Sequence, residues 1–180
     1  MTDQKILKYT LKDAEFNNLS FLARPLRLHA KDDARFHINH IRVEEDRSAV
    51  STNGHLLCMV NYVPLIKGYY KPLRVQKKAL VLQYVGGLDQ FDYPQYKDII
   101  ISAASVNGAK LVHFKVDRED YYGLAGAHAK IIRAMSTNTI DVKLLEVLTD
   151  GNWVGHVRDE EPSFFSQNER IALIMAVRVK

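Results

Sequence analysis

Apolar and polar positions repeat one order of elements in two separate stretches of the chain. Ile6-Leu7-Lys8-Tyr9 reads as a short strand followed by Thr10-Leu11-Lys12-Asp13, and Leu111-Val112-His113-Phe114-Lys115-Val116 reads as a strand followed by Asp117-Arg118-Glu119-Asp120. Each tetrapeptide opens on a Thr or Asp that can accept hydrogen bonds from backbone N–H groups and closes on a carboxylate. That is a variant of the capping box, so each strand is expected to run straight into a helix. The first helix is expected over residues 11–23, ending before Pro25, with Ala14, Leu19, Leu22 and Ala23 inward and Phe16 at the margin. The second is expected over 118–135, where Tyr121, Leu124, His128, Ile131, Ile132 and Met135 recur at intervals of three and four. Gly123 and Gly126 each cost about 1 kcal/mol against Ala in such a helix, which implies a close approach or a frayed start.

Strand-like stretches follow each helix. After the first come 36–43, 49–52 and 55–62; after the second come 140–148, 153–158 and 171–179. Asn53-Gly54, Glu45-Asp46-Arg47, Asp150-Gly151-Asn152 and Pro162-Ser163 supply the turns. The chain is thus expected to be α+β, with two β-α-β-β-β half-units over 1–70 and 111–180. A connecting strap over 71–110 would carry one short helix at 77–84. The half-units would be pseudo-symmetric antiparallel sheets with their helices on one face.

Composition narrows the function. The 180 residues are 47% hydrophobic and 26% charged, an ordinary globular balance, and the formal net charge of +4 permits a polyanionic partner without demanding one. No apolar run approaches the roughly 20 residues that cross a bilayer, and the N-terminal segment lacks a secretory core, so a cytoplasmic protein with no membrane partner is expected. Cys58 is the one cysteine and lies in the apolar run Leu56-Leu57-Cys58-Met59-Val60, where a packed, inert thiol is expected. His37 and His40 would point to opposite sides of a strand, which argues against a shared metal or a small hydrolase site there. No H-E-x-x-H, P-loop, G-x-S-x-G or G-x-G-x-x-G occurs, so neither catalysis, a metal nor a cofactor is expected. Among the cations, Arg24, Arg27 and Lys31 fall around the end of the first helix, Lys77 and Lys78 in the strap, and Lys130 and Arg133 on one flank of the second helix. Spaced in this way they could follow a phosphate backbone without reading sequence, or simply be a solvated surface.

Three segments carry a family resemblance. Ser51-Thr52-Asn53-Gly54-His55-Leu56-Leu57-Cys58 resembles the T-D-G-H-R-L-A segment of bacterial replicative sliding clamps. Tyr93-Pro94-Gln95-Tyr96-Lys97-Asp98-Ile99-Ile100 resembles their F-P-D-Y-R-R-V-L-P connector, and the ending Ile174-Met175-Ala176-Val177-Arg178-Val179-Lys180 resembles their terminal V-M-P-M-R-L. Upstream, Asp33-Ala34-Arg35-Phe36-His37-Ile38-Asn39-His40-Ile41 resembles a family strand that opens D-V-R-Y-Y-L-N-G. Asn53, Leu56 and Ala176 stand where the family has Asp, Arg and Pro, the chain is shorter than family chains, and it is basic where they are usually acidic.

The resemblance implies a DNA-clamp-like fold and a non-enzymatic processivity or tethering factor in DNA replication. Its hydrophobic pocket would accept the clamp-binding peptide of a DNA polymerase or another partner protein. Carried over by position, that peptide-binding pocket would hold Thr52, His55, Leu57, Pro94, Ile99, Met175 and Val177. Arg24, Lys130 and Arg133 would face the backbone of duplex DNA, and the chain would assemble as a homo-oligomer. The compressed length suggests a phage-encoded form. The alternative is a stand-alone clamp-like module, an adaptor or decoy for replication or transcription proteins, that does not encircle DNA.

Overall fold

A computed structural model describes residues 5–27, 39–90, 93–116, 121–135, 140–148, 151–159 and 161–175, with the side chains of 90 and 121–127 outside that description. The chain divides into two compact units, Met1–Pro94 and Gln95–Lys180. The first holds β1 (Ile6–Thr10), α1 (Phe16–Arg27), β2 (Ile41–Val43), β3 (Ala49–Thr52), β4 (Leu56–Val60), β5 (Gly68–Val75) and β6 (Ala79–Gly86). The second holds α2 (Lys97–Ala104), β7 (Lys110–Val116), α3 (Tyr121–Met135), α4 (Val142–Leu145), β8 (Gly151–Val157), β9 (Ser163–Gln167) and β10 (Arg170–Ile174). All pairing described within each unit is antiparallel, which makes the protein α+β.

In the first unit the strands lie in the order β1-β6-β5-β2-β3-β4. The stretch expected as an extended strap is therefore divided. Its β5–β6 hairpin is central to the first sheet, whereas α2 belongs to the second unit. The short helix expected at 77–84 is instead part of β6. Leu80 and Leu82 are fully buried while Ala79, Val81 and Gln83 between them are not, and that period of two fits a pleated strand.

α1 starts later and ends later than the sequence pattern indicates. The amide and hydroxyl of Thr10 both donate to Asp13 Oδ2, at 2.6 and 3.0 Å, and Asp13 N donates back to Thr10 O at 3.0 Å. These bonds close a turn, and the helix begins only at Phe16. Pro25 lies inside α1 and is buried, because a proline near the end of a helix forfeits one backbone bond while its ring can still pack. Phe16 and Phe21 join Leu19, Leu22 and Ala23 in the core, so Phe16 is central rather than marginal. The helix packs over β3, β4, β5 and β6. Ser51 on β3 fixes it there by donating its hydroxyl to Leu22 O at 2.5 Å.

The second unit pairs its strands in the order β10-β9-β8-β7. The strand expected over 140–148 is not present; α4 occupies its middle, capped by Asp141, whose side chain accepts from Lys143 N at 2.9 Å. Ile140, Leu144, Leu145, Val147 and Leu148 are all buried, a helical spacing rather than an alternating one. The missing strand is supplied by β9, which begins at the Ser163 read as part of a turn. On α3, His128 and Ile132 are buried, but Ile131 is 45% exposed and leaves the expected stripe. The start of that helix at 118–120 lies outside the described residues. Gly155 lets β8 lie close to its neighbours: a Cβ there would meet Val112 Cγ2 at 2.6 Å and the Phe165 ring at 2.7 Å.

Candidate functional site

The turn between β3 and β4 is built by two side chains. Asn53 Oδ1 accepts from His55 N at 3.0 Å and Leu56 N at 2.8 Å. Thr52 donates its hydroxyl to Leu56 O at 3.0 Å and accepts from Gly54 N at 3.0 Å. Gly54 sits at φ 86°, a left-handed conformation that a Cβ would penalise. Asn53 is buried, so this is a rigid loop rather than a loose one. It holds His55 out in solvent at its tip.

Register then sorts the strand residues onto faces. Ser51 pairs with Cys58 and Thr52 pairs with Leu57. Ser51 bonds to α1, so Thr52 and Leu57, one residue along, share the face away from that helix. Both are half-buried there, a hydroxyl beside an aliphatic group. Pro94 is exposed and follows Tyr93, whose ring lies 6.3 Å from that of buried Tyr69 and 5.4 Å from the Arg42 guanidinium. The structure thus places Thr52, His55 and Leu57 together, and holds the residue before Pro94 against the first unit's sheet.

In the second unit Ile99 is 48% exposed on α2. With Asp98, Ser102, Ala103, Glu161 and Pro162 it lines a shallow depression of about 360 Å³. α2 is held by its C-terminal end. Arg158 donates to Ser102 O at 3.0 Å and to Ser105 O, and His156 Nδ1 lies 2.9 Å from Ala104 O. A cation on carbonyls that end a helix satisfies their orphaned acceptors and complements the helix dipole. Glu161 in turn binds Arg158 at 2.9 Å. The sequence reading missed this depression, although Pro162-Ser163 marked one wall. Met175 follows β10 and is 43% exposed; Val177 lies outside the described residues.

Among the cations, Lys130 and Arg133 are both exposed on α3, away from buried His128 and Ile132. Arg24 is half-buried in the last turn of α1, near enough for its charge to oppose the upward shift of the Cys58 thiol. Burial dominates that shift and keeps Cys58 protonated and inert. His40 is buried, and His37 and Lys31 lie outside the described residues. His128 stacks on Phe114 at 4.1 Å between ring centroids, and burial lowers its pKa. Among the described residues no group of three or more His, Cys, Asp or Glu side chains could hold a metal, and no helix is long and apolar enough to cross a membrane.

Antiparallel strands and their helices make a DNA-clamp-like α+β fold, and sliding clamps are among the solved structures similar to this chain. The chain aligns with the DNA polymerase sliding clamp of Pseudomonas aeruginosa at TM-score 0.51 and 12% identity, over 97% of this chain and 67% of that one. It aligns with DNA polymerase III beta of Caulobacter crescentus at 0.53 and 12%, over 99% and 68%. A Helicobacter pylori beta clamp bound to a DNA ligase peptide gives 0.53 and 9%, over 99% and 67%. The chain shares their clamp-like fold and spans about two thirds of the length of these solved structures. No protein-family model matches the sequence, and no curated protein does.

Proposed function

We propose that this chain is a sliding-clamp-like tethering factor: it binds duplex DNA without sequence preference and holds a DNA polymerase or another partner by a short hydrophobic peptide. The observation that carries this reading is the clamp fold over 97% or more of the chain. In the first unit the peptide contacts are Thr52, His55 and Leu57 with Pro94; in the second they are Ile99, Met175 and Val177. Half-exposed Leu57 beside a hydroxyl, and an exposed Met and Ile, suit a Leu- or Phe-containing peptide. Arg24, Lys130 and Arg133 are the backbone-facing cations, weak enough individually to permit movement along DNA. The action is non-enzymatic. A tethered partner rebinds its template at a high effective concentration before it diffuses away. A homo-oligomer enclosing the duplex, in the cytoplasm of a bacterial cell and phage-encoded, completes the reading.

Fluorescence anisotropy with a labelled clamp-binding peptide tests it. Leu57→Ala and Met175→Ala should each weaken binding by more than about 1 kcal/mol if these side chains anchor the peptide. Unchanged affinity in both variants would refute the assigned contacts. The second reading is an adaptor that does not encircle DNA. It shares the peptide contacts and differs in its behaviour on circular DNA.

A further inference from the structure

The β5–β6 hairpin, paired with β1, builds a charged surface that the contacts above do not use. Lys8 on β1 lies opposite Val81 on β6, and Val81 lies opposite Arg74 on β5. Two residues along, Ile6 lies opposite Gln83, and Gln83 opposite Lys71. Directly opposed residues share a face, so Lys8, Lys71 and Arg74 project together. The alternate positions, Leu80 and Leu82, are fully buried on the face that α1 covers. The cations therefore occupy the face opposite α1, and all three are exposed. Exposed Lys77 and Lys78 in the hairpin turn and exposed Lys5 before β1 extend the charge. The three strands, ILKYT, GYYKPLRV and ALVLQYVG, contain no carboxylate. Among the described residues none of these cations is ion-paired.

We infer that this face is a second phosphate-binding surface, and that its ligand is the backbone of duplex nucleic acid. Charge complementarity names a polyanion, and the geometry favours the duplex. With neighbouring strands about 4.8 Å apart and paired side chains recurring about every 6.8 Å along a strand, the cations form an array of about 7 by 10 Å. That spacing is comparable with the groove widths that separate phosphate rows in duplex DNA, about 6 and 12 Å. The outward positions 6, 8, 10, 71, 74, 79, 81 and 83 hold no aromatic ring. Single-strand binders add base stacking on aromatic side chains, and this face offers none. Because it lies on the side of the sheet away from α1, it can engage a duplex that does not touch Arg24.

The test is duplex binding by anisotropy across a salt series, with the full chain and a short blunt linear duplex. Lys8→Glu/Lys71→Glu/Arg74→Glu should weaken binding at least about tenfold at low salt and reduce the slope of log K against log salt by about 2 to 3, since each phosphate contact contributes about 0.9. The milder Lys8→Gln/Lys71→Gln/Arg74→Gln should lose affinity in the same direction with an unchanged melting temperature, which excludes misfolding as the cause. Lys130→Glu/Arg133→Glu separates this surface from the helix-borne contacts, because the loss caused by the hairpin set should persist in that background. Wild-type affinity and slope in both hairpin variants would overturn the inference. So would dependence on these three cations for binding phosphatidylserine vesicles or a single-stranded oligonucleotide but not the duplex.

Discussion

The two units run through the same β-α-β-β-β progression but order their strands differently. In the second unit the strand before the helix, β7, pairs directly with β8, the first strand of the meander after it. In the first unit β1 and β2 occupy the corresponding places, but β6 and β5 stand between them. A hairpin adds two strands of opposite direction, so β1 and β2 remain antiparallel to each other across the insertion. An insertion of one strand would have broken that alternation. The units also differ in how they close their cores. The first seats α1 with the Ser51–Leu22 hydrogen bond, whereas the second buries the ring of His128 against Phe114 and needs a glycine at 155 for close strand approach.

Substitutions in the two sheets probe that contrast directly. Leu82→Ala removes a fully buried side chain from the inserted hairpin and should cost about 2–5 kcal/mol in chemical denaturation. A loss below about 0.5 kcal/mol would make the hairpin an appendage rather than part of the first unit's core. Gly155→Ala forces a Cβ against Val112 and Phe165 in the second unit and should cost about 1–3 kcal/mol by the same measurement. A neutral result would show that the β7–β8–β9 packing yields easily. Asn53→Ala leaves the amides of His55 and Leu56 without their acceptor and should cost about 1–3 kcal/mol while also weakening peptide binding. Full peptide affinity would separate the turn from the proposed contact surface.

The smallest expected effect is on pH dependence. The folded pKa of His128 lies below its ordinary value of 6.5 because burial penalises the charged ring. Between the two values the unfolded chain binds the extra proton, so the contribution is intact above pH 6.5 and is lost as pH falls through the folded pKa. His128→Phe should flatten the melting temperature against pH across that interval. An unchanged profile would mean that the ring carries no such linkage.

Much of this architecture was legible: β1, β3, β4, β7 and β8 overlap the stretches expected as strands. The helix entries were less so, since α1 begins only after the turn that Thr10 and Asp13 close, and residues 117–120 before α3 lie outside the described residues. The reading failed where packing set the period. In 140–148 the run Leu144-Leu145-Glu146-Val147-Leu148 satisfies both strand and helix spacing, and Asp141 decides for the helix by capping it. Residues 77–84 open on two lysines and hold Ala79, Leu80 and Leu82, which suit a helix, with Val81 alone β-branched, and their pairing with β1 and β5 makes them a strand. The proposed contact residues were legible only in part. The Thr52–Leu57 pair followed from a motif, whereas the hairpin's basic face depends on a register between strands about seventy residues apart in the chain, which no local pattern encodes.

Retention on DNA of defined topology tests tethering most directly. Protein assembled on closed circular duplex, with its partner or loader supplied, should remain bound through a high-salt wash and be released when the circle is linearised. Equal retention on circular and linear DNA, or none on either, would contradict an enclosing tether and leave the adaptor reading in its place.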